Sequence, residues 1–140
     1  MIKICFVCTG NTCRSVMAER LAKKELKKLG LKNIKVSSRG LNAIGENIAE
    51  NSKIVLKKFG ASAANRKSVK LGRLDKTTLY VTMTEAQKEK LRGFKVISLG
   101  ELIGRDIQDP YGQSEEVYFK TAQELQKGVQ ILFKKLRENL

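Results

Sequence analysis

The chain contains no histidine and no tryptophan, a single proline, and three cysteines that all fall within its first thirteen residues. Each shortage excludes something. Without histidine, the side chain most often used as general base and as metal ligand is gone, so acid–base chemistry must rest on carboxyls. Cys5, Cys8 and Cys13 are odd in number and crowded together, which is no disulfide framework for a small secreted protein. They also lack the second pair or the histidines that would complete a zinc site, so no metal and no other cofactor is expected. No stretch approaches the ~20 apolar residues of a membrane span. Met1-Ile2-Lys3-Ile4 leads into a strand, without the small-residue cleavage site of an exported leader. A cytoplasmic protein that does not contact the membrane is therefore expected. With 140 residues, one domain covering 1–140 is expected, large enough for one core.

Acidic residues are also scarce: 14 Asp plus Glu stand against 28 Lys plus Arg, a net charge of +14. The basic residues are spread along the chain and form no tail. Lys23, Lys24, Lys27 and Lys28 fall on the solvent side of one amphipathic segment, and Lys127, Lys134, Lys135 and Arg137 on that of another. No aromatics interleave with them to stack on bases. A solvated basic surface with no specific nucleic-acid partner is the better reading, and such a field steers anionic substrates inward.

Apolar runs of strand type occur at Lys3 to Val7, Ile34 to Val36, Thr78 to Met83 and Lys95 to Ile97, separated by segments of helical period. That alternation marks βαβ units. A first helix is expected from Ser15 to Leu29, burying Ala18, Leu21, Ala22, Leu26 and Leu29 and stopping at Gly30. A second is expected from Glu46 to Phe59, burying Ile48, Ser52, Val55, Leu56 and Phe59. A short helix should cover Thr84 to Leu91. A long last helix from Ser114 to Asn139 should bury Val117, Leu125, Val129, Leu132 and Leu136. Right-handed crossovers then give an α/β fold of three layers, with a four-stranded parallel sheet in the order 2-1-3-4 flanked by helices. In such a sheet ligands bind beyond the carboxyl ends of the strands, where the strand order reverses.

Strand one ends at that switch point in Cys8-Thr9-Gly10-Asn11-Thr12-Cys13-Arg14-Ser15, a Cys-x5-Arg-Ser segment. A strand that turns through Gly and Asn into a helix start aims its backbone N–H groups at one spot, an anion site. Helix N-termini and neighbouring guanidinium groups favour thiolates over thiols, so a phosphate held there would meet a nucleophile, Cys8. Arg14 is badly placed against the helix dipole unless an anion accompanies it, and its planar fork suits two phosphoryl oxygens. Ser15 can cap the helix or donate to the Cys8 sulfur. Gly10 and Asn11 are expected to supply left-handed backbone. Cys8 and Cys13 share a loop, so a reversible disulfide between them is conceivable on sequence grounds.

Breaking a bond to phosphorus also needs a proton donor for the leaving group. The chain has three aspartates, Asp75, Asp106 and Asp109, and the last two lie between the final strand and the final helix. Asp109 is the better choice. The chain's only proline, Pro110, follows it and stiffens its backbone toward an extended form, at the same carboxyl edge as Cys8. Asp106 reads as a residue that turns the chain.

Over nearly its full length the chain resembles the low-molecular-weight protein tyrosine phosphatases. Val7-Cys8-Thr9-Gly10-Asn11-Thr12-Cys13-Arg14-Ser15 with Met17-Ala18-Glu19 is similar to that family's N-terminal signature, and Asp109-Pro110-Tyr111 to its acid loop. The resemblance implies a flavodoxin-like phosphatase fold and a metal-independent phosphatase in which Cys8 attacks, Arg14 binds phosphate and Asp109 is the acid. Thr9, Gly10, Asn11, Thr12, Cys13, Ser15 and Tyr111 would line the phosphate and substrate site. Cys13 matches the family's second loop cysteine, which implies reversible protection of Cys8 from over-oxidation.

The chain departs from the usual pattern at Val16, where the family usually has proline, at Ser38-Arg39-Gly40, and at Asn65-Arg66-Lys67-Ser68, which lacks a frequent histidine. Thr12, in place of the usual isoleucine, resembles the bacterial protein-arginine phosphatase branch. So does Gly112, which follows Tyr111 where many tyrosine phosphatases have a second aromatic. The implied partners are a phosphorylated protein, with phosphoarginine favoured over phosphotyrosine, and inorganic phosphate as product; a monomer is expected. Two other classes fit less well. A thioredoxin-coupled arsenate reductase of the same fold needs two further cysteines, and none follows Cys13. A non-catalytic anion- or nucleic-acid-binding module does not require thiol, arginine and Asp-Pro together.

Overall fold

The computed structural model describes residues 1–63 and 65–138. Its elements follow in the order β1 (Ile2–Cys8), α1 (Arg14–Leu29), β2 (Ile34–Gly40), α2 (Glu50–Lys58), β3 (Thr78–Thr82), α3 (Glu85–Glu89), β4 (Val96–Ser98), α4 (Leu99–Ile103) and α5 (Glu115–Glu138). The four strands form one parallel sheet in the order β2-β1-β3-β4, as expected from the crossover rule. Strand β1 lies inside it, with Cys5 opposite Ser37 on one side and Tyr80 on the other.

Period-two alternation divides β1 between the two faces. Ile4 and Phe6 join the main core with Val16, Met17, Leu125, Val129 and Phe133 from α1 and α5. Cys5 and Val7 pack on the other face with Tyr80, Leu91 and the partly buried Leu41, Leu71, Leu74 and Phe94. The predicted buried faces of α1 and α5 are borne out except at Leu29, Val117 and Leu136, which are only partly covered. The predicted end of α5 at Asn139 lies outside the described residues.

One helix starts later than expected, and another went unforeseen. The helix predicted from Glu46 begins at Glu50, because the Glu46 backbone is taken up by Ser68: the Glu46 N–H donates to Ser68 Oγ (2.8 Å) and the Ser68 N–H to the Glu46 carbonyl (2.7 Å). Ile48 is nonetheless buried from this extended stretch. Helix α4 was not anticipated. Its start is marked by the Ser98 N–H donating to the Glu101 carboxylate (2.6 Å), one half of a Ser-x-x-Glu capping box. A glycine at its second position and its five-residue length hide the helical period.

That glycine sets the acid loop in place. A Cβ on Gly100 would lie 2.7 Å from the Arg105 carbonyl oxygen and 3.0 Å from that of Met83. The close approach lets Arg105 donate its N–H to the Gly100 carbonyl (2.9 Å) and Ile107 its N–H to the Met83 carbonyl (3.1 Å), so the segment leading to Asp109 hangs from the end of β3. Backbone atoms cannot move aside as a side chain can. Gly100→Ala is therefore expected to cost about 1–3 kcal/mol and lower the melting temperature by several degrees. An unchanged thermal melt would show that the loop does not depend on this contact.

Candidate active site

The chain leaves β1 at Cys8 and enters α1 at Arg14 through a loop held from outside. Leu41 donates its N–H to the Cys8 carbonyl (2.9 Å) and Asn42 to that of Thr9 (2.9 Å). Gly40 is required beneath it, since a Cβ there would meet Asn11 Cβ at 2.8 Å and the Thr9 carbonyl oxygen at 2.9 Å. The Thr12 carbonyl accepts from the Ala49 N–H (3.1 Å) and from Ser52 Oγ (3.0 Å), which moors the loop to the start of α2.

Asn11 organises the interior of the loop. It is the left-handed residue, with φ 57°, whereas Gly10 keeps an ordinary negative φ and no close neighbour requires its missing side chain. The expectation that both would be left-handed thus holds for Asn11 alone. Asn11 is fully buried, and its amide makes four hydrogen bonds. Oδ1 accepts from the Val69 N–H (2.9 Å) and Arg66 Nη2 (3.2 Å), while Nδ2 donates to Ser15 Oγ (2.7 Å) and Ser38 Oγ (3.1 Å). Val69 and Arg66 can only donate here, so the amide orientation is fixed. Ser15 Oγ accepts from Asn11 and lies 2.9 Å from Cys8 Sγ, to which it is the donor once the sulfur is a thiolate. The Asn11 N–H donates to the same sulfur at 3.3 Å. Helix α1 is headed by Cys13, so Ser15 is not its cap, and its hydroxyl faces the Cys8 sulfur instead.

A second tier stands behind Asn11 that sequence reasoning did not find. Ser38 Oγ donates to Glu19 Oε1 (2.6 Å), and Glu19 also pairs with Lys23 (2.9 Å), Arg20 (3.4 Å) and Arg66 (3.7 Å). Glu19 is 5 % exposed. Burial raises its carboxyl, but the Ser38 hydroxyl, Lys23 and Arg66 outweigh that and hold it below the ordinary glutamate value. Its spacing from Ser15, one helical turn on the same face of α1, was the available signal.

Arg14 is buried and reaches across to the acid loop. Nη1 donates to the Ile107 carbonyl (2.9 Å), Nη2 lies 3.7 Å from Asp109 Oδ2, and Nε is buried with no partner among the described residues. Asp109 is half exposed, its Oδ1 accepting the Tyr111 N–H at 3.1 Å. Asp106, expected to turn the chain, instead accepts the Glu85 N–H at the start of α3 (3.0 Å). Cys8, Thr9, Gly10, Asn11, Thr12, Cys13 and Arg14 line one cavity of about 170 Å³ with Asp109, Tyr111 and Glu46. Every predicted site residue except Ser15 thus lines it, and Ser15 meets Cys8 from below. Glu46 was not predicted. Gln87 supports the wall through Nε2 donating to Thr9 Oγ1 (3.3 Å).

All three cysteines are free thiols. Cys13 Sγ lies 3.3 Å from the Tyr118 hydroxyl, and burial pushes the Cys13 thiol up despite that contact. Tyr118 is raised too, by burial and then by its bond to Cys13. Among the described residues no group of three metal-ligating side chains comes together, and no helix is long and apolar enough to cross a membrane.

A thiol, an arginine and a carboxyl gathered around a helix start at a sheet's switch point define a phosphatase of the Cys-x5-Arg class. The low molecular weight phosphotyrosine protein phosphatase family matches residues 3–140, and the chain belongs to it. It is 36 % identical over 129 residues to the low molecular weight protein-tyrosine-phosphatase PtpB of Staphylococcus epidermidis, covering 86 % of this chain and 88 % of that one. It is 35 % identical over 146 residues to a protein-arginine-phosphatase of Geobacillus stearothermophilus, covering 96 % of each. A low molecular weight protein tyrosine phosphatase from T. tengcongensis superimposes with a TM-score of 0.87 at 32 % identity, covering 96 % of this chain and 99 % of that one.

The Glu19 cluster yields a pH prediction. Because the folded carboxyl titrates below 4.5, its ordinary value, the ionised form stabilises the protein at neutral pH, and this contribution is lost as pH falls from about 4.5 through the lowered value. Glu19→Gln is expected to cost about 2–3 kcal/mol at pH 7, less than a fully sealed pair since Lys23 reaches solvent, and to flatten the acid side of the stability profile. Urea unfolding at several pH values measures both. Parallel profiles for the two proteins would remove Glu19 as the titrating group.

Proposed function

We propose that the chain is a protein phosphatase acting on phosphorylated side chains, with phosphoarginine preferred and phosphotyrosine second, through a phosphocysteine intermediate. The observation that carries the mechanism is the convergence on Cys8 Sγ of the Ser15 hydroxyl and the Asn11 N–H, with Arg14 and Asp109 across the same cavity. Cys8 Sγ attacks phosphorus, forming an S–P bond as the bond to the guanidino nitrogen or phenolic oxygen breaks. Asp109 gives its proton to that leaving atom. Arg14, with its buried Nε and two-pronged end, binds the phosphoryl oxygens as charge spreads over them. Water then attacks phosphorus and loses a proton to the Asp109 carboxylate. Phosphate is released, and Sγ leaves with the S–P electron pair, met by the two donors that face it.

Preference for phosphoarginine rests on Thr12 in the cavity wall, on a single aromatic, Tyr111, at the mouth, and on the likeness to the Geobacillus stearothermophilus enzyme. A hydroxyl accepts or donates toward a guanidinium or a water beside it, whereas an aliphatic side chain packs on a ring. Cys8→Ser is expected to abolish phosphate release from p-nitrophenyl phosphate measured in EDTA, and Asp109→Asn to lower kcat by about 10²–10⁴-fold. Thr12→Ile is expected to shift kcat/KM from phosphoarginine toward phosphotyrosine peptides. Equal turnover by wild type and Cys8→Ser would end the catalytic reading; indifference to Thr12→Ile would end only the preference.

A further inference from the structure

Glu46 was absent from the sequence-predicted site, yet it lines the same cavity as Cys8, Asp109 and Tyr111. Its backbone is gripped on both sides by Ser68, and the next residue, Asn47, makes an isolated antiparallel bridge with Lys67. Gly45 before it takes the left-handed conformation, φ 81°, so the chain turns sharply and then runs straight past the cavity mouth. The position of Glu46 is thus fixed by the fold.

Several acids have no cation within 4 Å among the described residues, and of these Glu46 is the one that lines the cavity. Cations outnumber acids two to one, and Glu19, Asp75, Glu89, Glu101, Asp109, Glu115, Glu116 and Glu124 all have a lysine or arginine within 4 Å. Glu46 is exposed and has no such partner among the described residues. An anion at the mouth of an anion site opposes the phosphate it must admit, at a cost that any phosphorylated substrate bears. Only a substrate that carries hydrogen-bond donors or positive charge next to its phosphoryl group recovers that cost. The ring of phosphotyrosine has neither. A phosphorylated guanidino group has further N–H groups two bonds from the phosphorylated nitrogen, across the central carbon, in the planar arrangement a carboxylate accepts. Tyr111, 64 % exposed at the same mouth, offers a face on which that plane can stack.

We propose that Glu46 is a specificity residue that accepts the free N–H groups of phosphoarginine's guanidino group, while Tyr111 covers its face. This rests on the phosphoarginine reading above. Asp109 is tied to the leaving nitrogen and to the Tyr111 N–H, so Glu46 is the carboxylate left to hold the remainder of the group. The contact lies at a rim and is open to water, so its effect is moderate.

The test is the ratio of kcat/KM on a phosphoarginine peptide to kcat/KM on the matching phosphotyrosine peptide. In Glu46→Gln, which keeps the shape and removes the charge, this ratio is expected to fall about fivefold. In Glu46→Lys, which sets a cation against the guanidino group, it should fall further. The phosphotyrosine rate reports in each case that the variant is folded. A ratio that stays within twofold of wild type in both variants, or that falls in Gln but recovers in Lys, overturns the assignment while leaving the phosphoarginine reading intact. Absence of phosphoarginine turnover by wild type removes both.

Discussion

The site depends on the orientation of one amide. Asn11 cannot rotate, because two donors, the Val69 N–H and the Arg66 guanidinium, hold its carbonyl end and two hydroxyls take its NH2 end. That holds the Ser15 hydroxyl against the sulfur of Cys8, to which it donates when the sulfur is a thiolate. The same four bonds offset the strain of a left-handed non-glycine residue, a cost of order 1–3 kcal/mol. A loop built this way is organised before any ligand arrives, which is what preorganised stabilisation of developing charge requires.

From Asn11 the constraint passes outward in two directions. Through Ser38 it reaches Glu19 and its three cations inside α1 and beside it. Through Arg66 and Val69 it reaches the long segment between α2 and β3, which has no helix or strand among its described residues but holds the loop and, through Ser68, Glu46 at its mouth. On the opposite side Arg14 joins the phosphate loop to the acid loop through the Ile107 carbonyl, and Gly100 lets that loop lie close to the sheet. The two halves of the chain are thus joined by polar contacts in the place where chemistry is proposed.

The fold was largely legible because its signals are local. Strand runs, helix periods and the crossover rule gave the sheet order, and Cys8, Arg14 and Asp109 could be named from a loop, a dipole argument and the scarcity of acids. What was not legible depends on distant pairing. Nothing local in Glu46-Asn47-Ile48 shows that Ser68 and Lys67 hold this stretch extended, so its helical period was taken at face value. Gly10 was expected to be left-handed beside Asn11 because glycine adopts that backbone most cheaply, but only the residue whose side chain could satisfy four partners, Asn11, took it. Glu19 stood in the sequence only as part of the N-terminal signature and Arg66 only as a departure from the usual pattern. Only the tertiary structure brings them together beneath the loop.

The cavity over Cys8, about 170 Å³, is smaller than the pockets that enclose drug-sized ligands. It has room for a phosphoryl group and the few atoms attached to it. Everything else that distinguishes one substrate protein from another must then be read on the open rim, where Tyr111 stands exposed and little can be excluded by shape. The reacting atoms are enclosed, and the rest of a substrate is left to an open surface.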